Sequence, residues 1–170
     1  MIKLALLFLA IITQACLGQN KVTPTDEFSI VGQIQKEIKF TLSDLGKLKP
    51  TGIGDVVITN HLGEKKGTAS NLSGIPIKDI FKDVQFNAES PKQLSEYYFI
   101  FVASDNYKVV YSWNEIFNSL TGDNIYLIVE KDGKKLNEMD DRILILTKTD
   151  YKTGRRFIKN LSKIMVQRVP

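Results

Sequence analysis

One cysteine and one histidine are the only strong nitrogen or sulfur metal donors among 170 side chains, and that scarcity excludes chemistry before any motif is read. With Cys16 as the sole thiol, no disulfide within the chain, no paired-cysteine zinc site and no redox dithiol can form. His61 alone does not make a metal site, which takes three or four protein ligands, and it reads as a solvated loop residue. A glycine-rich phosphate loop and a serine-centred nucleophile elbow are both missing, so nucleotide-binding and hydrolase readings have nothing to rest on.

Blocks of like charge are also missing. The 23 Lys and Arg and 19 Asp and Glu are interleaved in pairs such as Lys78-Asp79 and Lys82-Asp83, which argues against a nucleic-acid tail. The net charge of +4 leaves a weak preference for an anionic small-molecule ligand. Long apolar runs are confined to residues 4–12, too short to cross a hydrocarbon core as a permanent helix. With Lys3 before that run and small and polar residues after it, residues 1–18 read as an export signal. Ala15-Cys16 matches the end of a bacterial lipoprotein signal, in which Cys16 would be acylated; cleavage after Gly18 is the alternative. The expected location is the periplasm or a lipid anchor in the cell envelope, with membrane contact only through that lipid. Residues 19–27, polar and carrying Pro24, read as a tether to a single domain over residues 28–170.

The most legible stretch is residues 98–120, YFIFVASDNYKVVYSWNEIFNSL. Two aromatic and β-branched runs flank Ser104-Asp105-Asn106, which supplies turn chemistry. Ser112 and Glu115 have the capping-box spacing, and Trp113, Ile116, Phe117 and Leu120 fall on one helical face before Gly122. Elsewhere, strands are expected at residues 28–32, 37–41, 55–59, 125–130, 142–147 and 163–169. Thr41 and Asp44 cap a short helix, and Ile77, Ile80, Phe81 and Val84 mark a second over residues 77–84. Residues 60–67 form a hairpin or mobile loop, and Asp132-Gly133 is a two-residue hairpin turn. Interspersed strands and short helices predict an α+β domain with mixed or antiparallel sheets.

Four pieces in this order carry a resemblance: residues 28–32 with FTLSDL at 40–45, LSGIPIKDIF at 72–81, VASDNY at 102–107 with Glu115, and GRRFIKNL at 154–161 before Ile164. Together they resemble the oxidoreductase molybdopterin-binding domain of the sulfite oxidase type, over residues 28–169. The resemblance implies that fold, with molybdopterin as the cofactor. It places Arg142, Arg156 and Lys159 near the pterin and its phosphate, and His61 in a loop where cofactor contacts come. Family enzymes complete the molybdenum site with one cysteine after the strand matching residues 56–58, where this chain has Thr59 and Asn60. A sulfur-rich site calls for a soft thiolate, which neither a hydroxyl nor an amide replaces. The resulting expectation is a binding or interaction module with no catalytic residues and no bound metal, whose partner is a small anionic ligand or an envelope protein. The alternatives are a molybdopterin-dependent oxidoreductase with an atypical metal site, and a structural or adhesive envelope domain.

Each sharp reading has a plainer counterpart. Arg155, Arg156, Lys159 and Lys163 either cradle an anion or guard a solvated strand edge. Glu138, Asp140 and Asp141 lack calcium-loop spacing and suit a turn before Arg142. Asp105 and Tyr107 are either a catalytic pair or a side chain capping its own turn. Tyr97, Tyr98 and Trp113 read as core and interface aromatics.

Overall fold

A computed structural model describes residues 23–170; residues 1–18, Cys16 and the first part of the tether lie outside the described residues. Two sheets carry the domain. The first runs β2 (Ile38–Thr41), β1 (Glu27–Gly32), β10 (Leu161–Arg168), β5 (Tyr97–Ala103), β6 (Lys108–Ser112). Only β1 and β10 are parallel within it, with Ser29 opposite Lys163. The second orders β3 (Thr51–Thr59), β4 (Lys65–Pro76), β7 (Ile125–Lys131) and β8 (Lys134–Lys135), while β9 (Leu144–Thr147) also pairs with β7. All its pairings are antiparallel. This is the α+β class expected from the sequence.

Local chemistry explains the elements that formed as expected. Thr41 and Asp44 make a reciprocal capping box on α1 (Leu42–Leu45), and Leu45 is buried beneath it. Asn106 takes φ 69° in the β5–β6 turn, and Asp105 accepts from Tyr107 N–H at 2.9 Å, so Asp105 caps its own turn. Asp132 and Gly133, at φ 54° and 78°, close the β7–β8 hairpin. Phe81, Phe86, Phe99 and Phe117 pack edge-on or tilted at centroid separations of 4.8–6.2 Å. Fully burying a ring such as Phe99 contributes roughly 1.5–3 kcal/mol.

Other elements differ from expectation. The helix expected over residues 77–84 is only one turn, α2 (Ile77–Ile80). Downstream, Gln35 N–H donates to the Gln85 carbonyl and Ile34 bridges Phe86, so extended pairing captures the chain where further helix would have run. Val84 still reaches the core. Helix α3 (Trp113–Phe117) stops before Leu120, which is left exposed. Strand β4 extends through residues 68–73, a stretch too polar to suggest a strand. Pairing on one side with β3 and, from Ser73, with β7 holds it, with Asn71 at φ 52°. All of β9 is buried, so both of its faces are covered. Strand β10 lies in the middle of its sheet, so Lys163 does not guard an edge.

Candidate functional site

The place where the resemblance puts a thiolate is the end of β3, and the chain's own turn over Thr153–Arg155 closes on it. Thr59 N–H donates to the Thr153 hydroxyl at 3.0 Å, and that hydroxyl donates to the Val57 carbonyl at 2.8 Å. Gly154 sits directly on Thr59: a Cβ there would lie 1.9 Å from the Thr59 carbonyl oxygen. Among the described residues, the buried Thr59 hydroxyl has no hydrogen-bond partner. A desolvated alcohol under a packed turn does not fit a sulfur-held metal. Among the described residues, no three His, Cys, Asp or Glu side chains gather as ligands.

Around this closure three turns are stitched together. The Tyr107 hydroxyl donates to the Arg155 carbonyl, and Arg155 Nη2 donates to the His61 carbonyl at 3.3 Å. The Asn60 side chain accepts from Leu62 and Glu64 N–H at 2.9 and 3.0 Å and donates to the Glu64 carboxylate at 2.8 Å. Residues 60–64 are therefore a braced turn, to which His61 contributes its main chain.

Arg156 is held internally. Its guanidinium forms a fork with Asp150, with Nε to Oδ2 at 2.7 Å, pairs with Glu115 through Nη1, and lies over the Tyr111 ring at 4.7 Å. Hydrogen bonds to Asp150, opposed by burial and joined by those to Glu115, push its proton affinity above that of an ordinary guanidinium. Beneath it, burial pushes the Tyr111 phenol up, and its hydroxyl shares a 2.8 Å hydrogen bond with Thr147. Both carboxylates of the cluster are thus committed to a cation of the same chain.

Arg142 is likewise engaged within the fold. It donates to Asp26 through Nε at 2.8 Å and to the Met139 carbonyl at 3.1 Å, pinning the start of β1 to the segment before β9. Lys159 stands 3.4 Å from Asp141 and 5.6 Å from the Phe157 ring centre and is about half exposed. Asp141 receives Lys131 at 2.6 and 2.8 Å, and Asp140 receives Lys134 at 3.2 Å. Glu138 accepts from Lys135 N–H, so the acidic run forms a turn, as its spacing suggested.

The four residues placed near a cofactor by resemblance do not line one cavity. Lys159 borders two neighbouring hollows of about 350 and 190 Å³, while His61, Arg142 and Arg156 line neither of them. An apolar cleft of about 450 Å³, bordered by Leu45, Leu48, Pro50, Val129 and Leu136, contains none of the four. A hollow of about 300 Å³ lies beside Thr59, between Val57, Lys148, Asp150 and Tyr151. Sequence reasoning missed Thr153 and Asp150, and read Gly154 as a turn residue without its contact to Thr59. It assigned Glu115 to a capping box, of which only the Ser112 half forms, with Glu115 N–H on the Ser112 hydroxyl at 3.0 Å. The Glu115 carboxylate turns instead to Arg156, a partner 41 residues away that no local spacing signals.

No family model and no curated protein matches this sequence. Among solved structures, the chain superposes on the crystal structure of the sulfane dehydrogenase SoxCD from Paracoccus pantotrophus with a TM-score of 0.61 and 12% identity. The match covers 84% of this chain and 39% of that one, so this chain spans about two fifths of the length of its neighbour. At that identity the likeness is one of fold. The chain has the α+β, sulfite oxidase-type fold that the sequence led us to expect.

Proposed function

We propose that this chain is an exported binding or interaction module built on a sulfite oxidase-type scaffold, and that it performs no redox catalysis of its own. One observation carries the reading: the Thr153–Arg155 turn packs onto Thr59, with Gly154 against its carbonyl, where the family resemblance calls for a thiolate. The chain's sole cysteine, Cys16, lies within the expected export signal, outside the domain. Arg156 and Arg142, the cations that the resemblance assigns to the pterin, are paired with Asp150, Glu115 and Asp26. An arginine so engaged must break charge-assisted hydrogen bonds before it can hold a phosphate. The residues present therefore support binding without metal chemistry.

The test is expression of the whole chain in a host that makes molybdopterin, followed by metal analysis and assay of the released pterin as its fluorescent oxidation product. The expected result is purified, folded protein with far less than one molybdenum per chain. Stoichiometric molybdenum with turnover of a substrate overturns the proposal. For the export part, the intact mass of membrane-extracted protein distinguishes acylated Cys16 from cleavage after Gly18, and an uncleaved cytoplasmic chain contradicts export.

A further inference from the structure

An uncovered strand edge offers a row of free main-chain groups to another strand, and folds blunt such edges with bulges, charges or short length. Most edges among the described residues are blunted. Strand β3 changes register against β4 at three points, and Lys148 Nζ covers its Ile53 carbonyl at 2.8 Å. Strand β2 has four residues with Lys39 paired to Glu27, β8 has two, and Ile158 bridges the far side of β9. Strand β6 is different. Its five residues pair with β5 without a register shift, and its one charge, Lys108, stands at the first of them.

The turn before β6 fixes where its free groups point. Ala103 N–H donates to the Tyr107 carbonyl at 2.9 Å, so Phe101 with Val109 and Phe99 with Tyr111 are the bonded pairs that follow. The main chain of Lys108, Val110 and Ser112 therefore points away from β5, and all three residues are exposed. On the outer face of the sheet, Val110 ends an apolar row that crosses four strands. Val31 lies opposite Met165, Met165 opposite Ile100, and Ile100 opposite Val110. All four are at least partly exposed, Val110 at 54%. The rows on either side bring in polar groups, Lys163 and Lys108 beside Val102 and Gln167 and Ser112 beside Tyr98.

We propose that β6 pairs antiparallel with β6 of a second copy of this chain, about a two-fold axis at Val110. What selects a second copy is that this edge matches itself. The axis sets Val110 against its own counterpart as a reciprocally bonded pair, and Lys108 against neutral Ser112 at each end. Parallel pairing in register would stack the two Lys108 charges instead. The same axis brings the two apolar rows into line, so that one row runs unbroken across both sheets through the two Val110 side chains. A foreign strand would satisfy the main chain but would meet that row only by coincidence. The inference goes beyond the binding-module reading and does not rest on it.

The test uses the full chain carrying Cys16→Ser, which removes the native thiol and any acyl anchor that could associate by itself. Sedimentation equilibrium should show monomer and dimer in exchange, with Kd below about 1 mM. Val110→Lys sets two like charges against each other on the axis and should weaken the dimer by about tenfold or more, and by less in high salt. Val110→Cys places two thiols across the axis, where opposed Cα atoms of a bonded pair lie about 5.5 Å apart, within disulfide reach. Mild oxidation should link that variant as a dimer and should not link Val169→Cys, an equally exposed position beyond the end of β10. Circular dichroism of each variant should match that of the parent.

The proposal is overturned by a chain that stays monomeric up to about 1 mM, by self-association that Val110→Lys leaves unchanged, or by equal linkage at both positions. A mixed disulfide from residue 110 to a different protein, with no dimer formed, overturns it as well. Stoichiometric molybdenum would defeat the binding-module reading and leave this pairing untouched, so the two fail separately.

Discussion

Gly154 rests on the main-chain carbonyl of Thr59, so close that a single added methyl carbon would lie 1.9 Å from the oxygen. The contact joins the last residue of β3 to a turn nearly a hundred residues later, at the position where the resemblance to sulfite oxidase-type domains puts the cysteine. Gly154→Ala must push the turn off β3 and disturb the hydrogen bonds of Thr153 to Thr59 and Val57. The expected loss is about 1–3 kcal/mol by urea denaturation. An unchanged midpoint would show that the turn is free to move.

Thr59 offers a complementary test. Its buried hydroxyl has no hydrogen-bond partner among the described residues, which leaves an uncompensated desolvation cost. Thr59→Val removes that oxygen at nearly constant shape and should raise stability by about 1 kcal/mol. A loss of stability would mean that the hydroxyl does find a partner in solution.

Arg156 and Lys159 come from the same short basic segment yet should respond very differently to neutralisation. Arg156→Gln leaves Asp150 and Glu115 facing each other with no guanidinium between them, and about 3 kcal/mol should be lost. Lys159 is 53% exposed and its one ion pair is 3.4 Å long, so Lys159→Gln should shift stability by no more than about 0.5 kcal/mol. Comparable effects from the two changes would refute the assignment of Arg156 to the fold.

Acid should unfold the protein through two carboxylates. The Thr41 hydroxyl, then Lys47, hold Asp44 at about 2, below its ordinary 3.8. For Asp141, burial works against the charge, but Lys131 and then Lys159 outweigh it and hold the group below its ordinary value. A folded-state value below the unfolded one means that the unfolded chain binds more protons in the interval between them. The stabilisation is complete above 3.8 and is lost as pH falls from there towards about 2. Urea midpoints measured from pH 5 to 2 should fall through that interval, and Asp44→Asn should flatten part of the fall. A midpoint independent of pH would contradict both placements.

Much of this was legible in the chain because it depended on neighbours in sequence. The Thr41 and Asp44 cap, the Ser112 cap, the left-handed Asn106 and the Asp132-Gly133 turn are each settled within four residues. The alternating and aromatic runs named the strands β5, β6, β7 and β10 because a half-buried sheet imposes a period of two. The absence of any thiol from residues 28–170 was also visible, and that alone set the chemical expectation against a metal centre.

Partners distant in sequence were hidden. Residues 68–73 have poor strand propensity, and β4 exists there because β3 supplies the hydrogen bonds its own side chains do not encourage. Glu115 has a local role available as a helix cap and a distant one as an ion-pair partner of Arg156, and only packing chose between them. Amino-acid identities thus determined the turns, the caps, the strand periodicity and the lack of a thiol in the domain, since each is a property of the residue or its near neighbours. Tertiary structure alone decided that the Thr153–Arg155 turn would close over Thr59 and that Arg156 would face inward. Both depend on groups brought together across dozens of residues, Thr153 with Thr59 and Arg156 with Glu115, where desolvation and shape outweigh local preference.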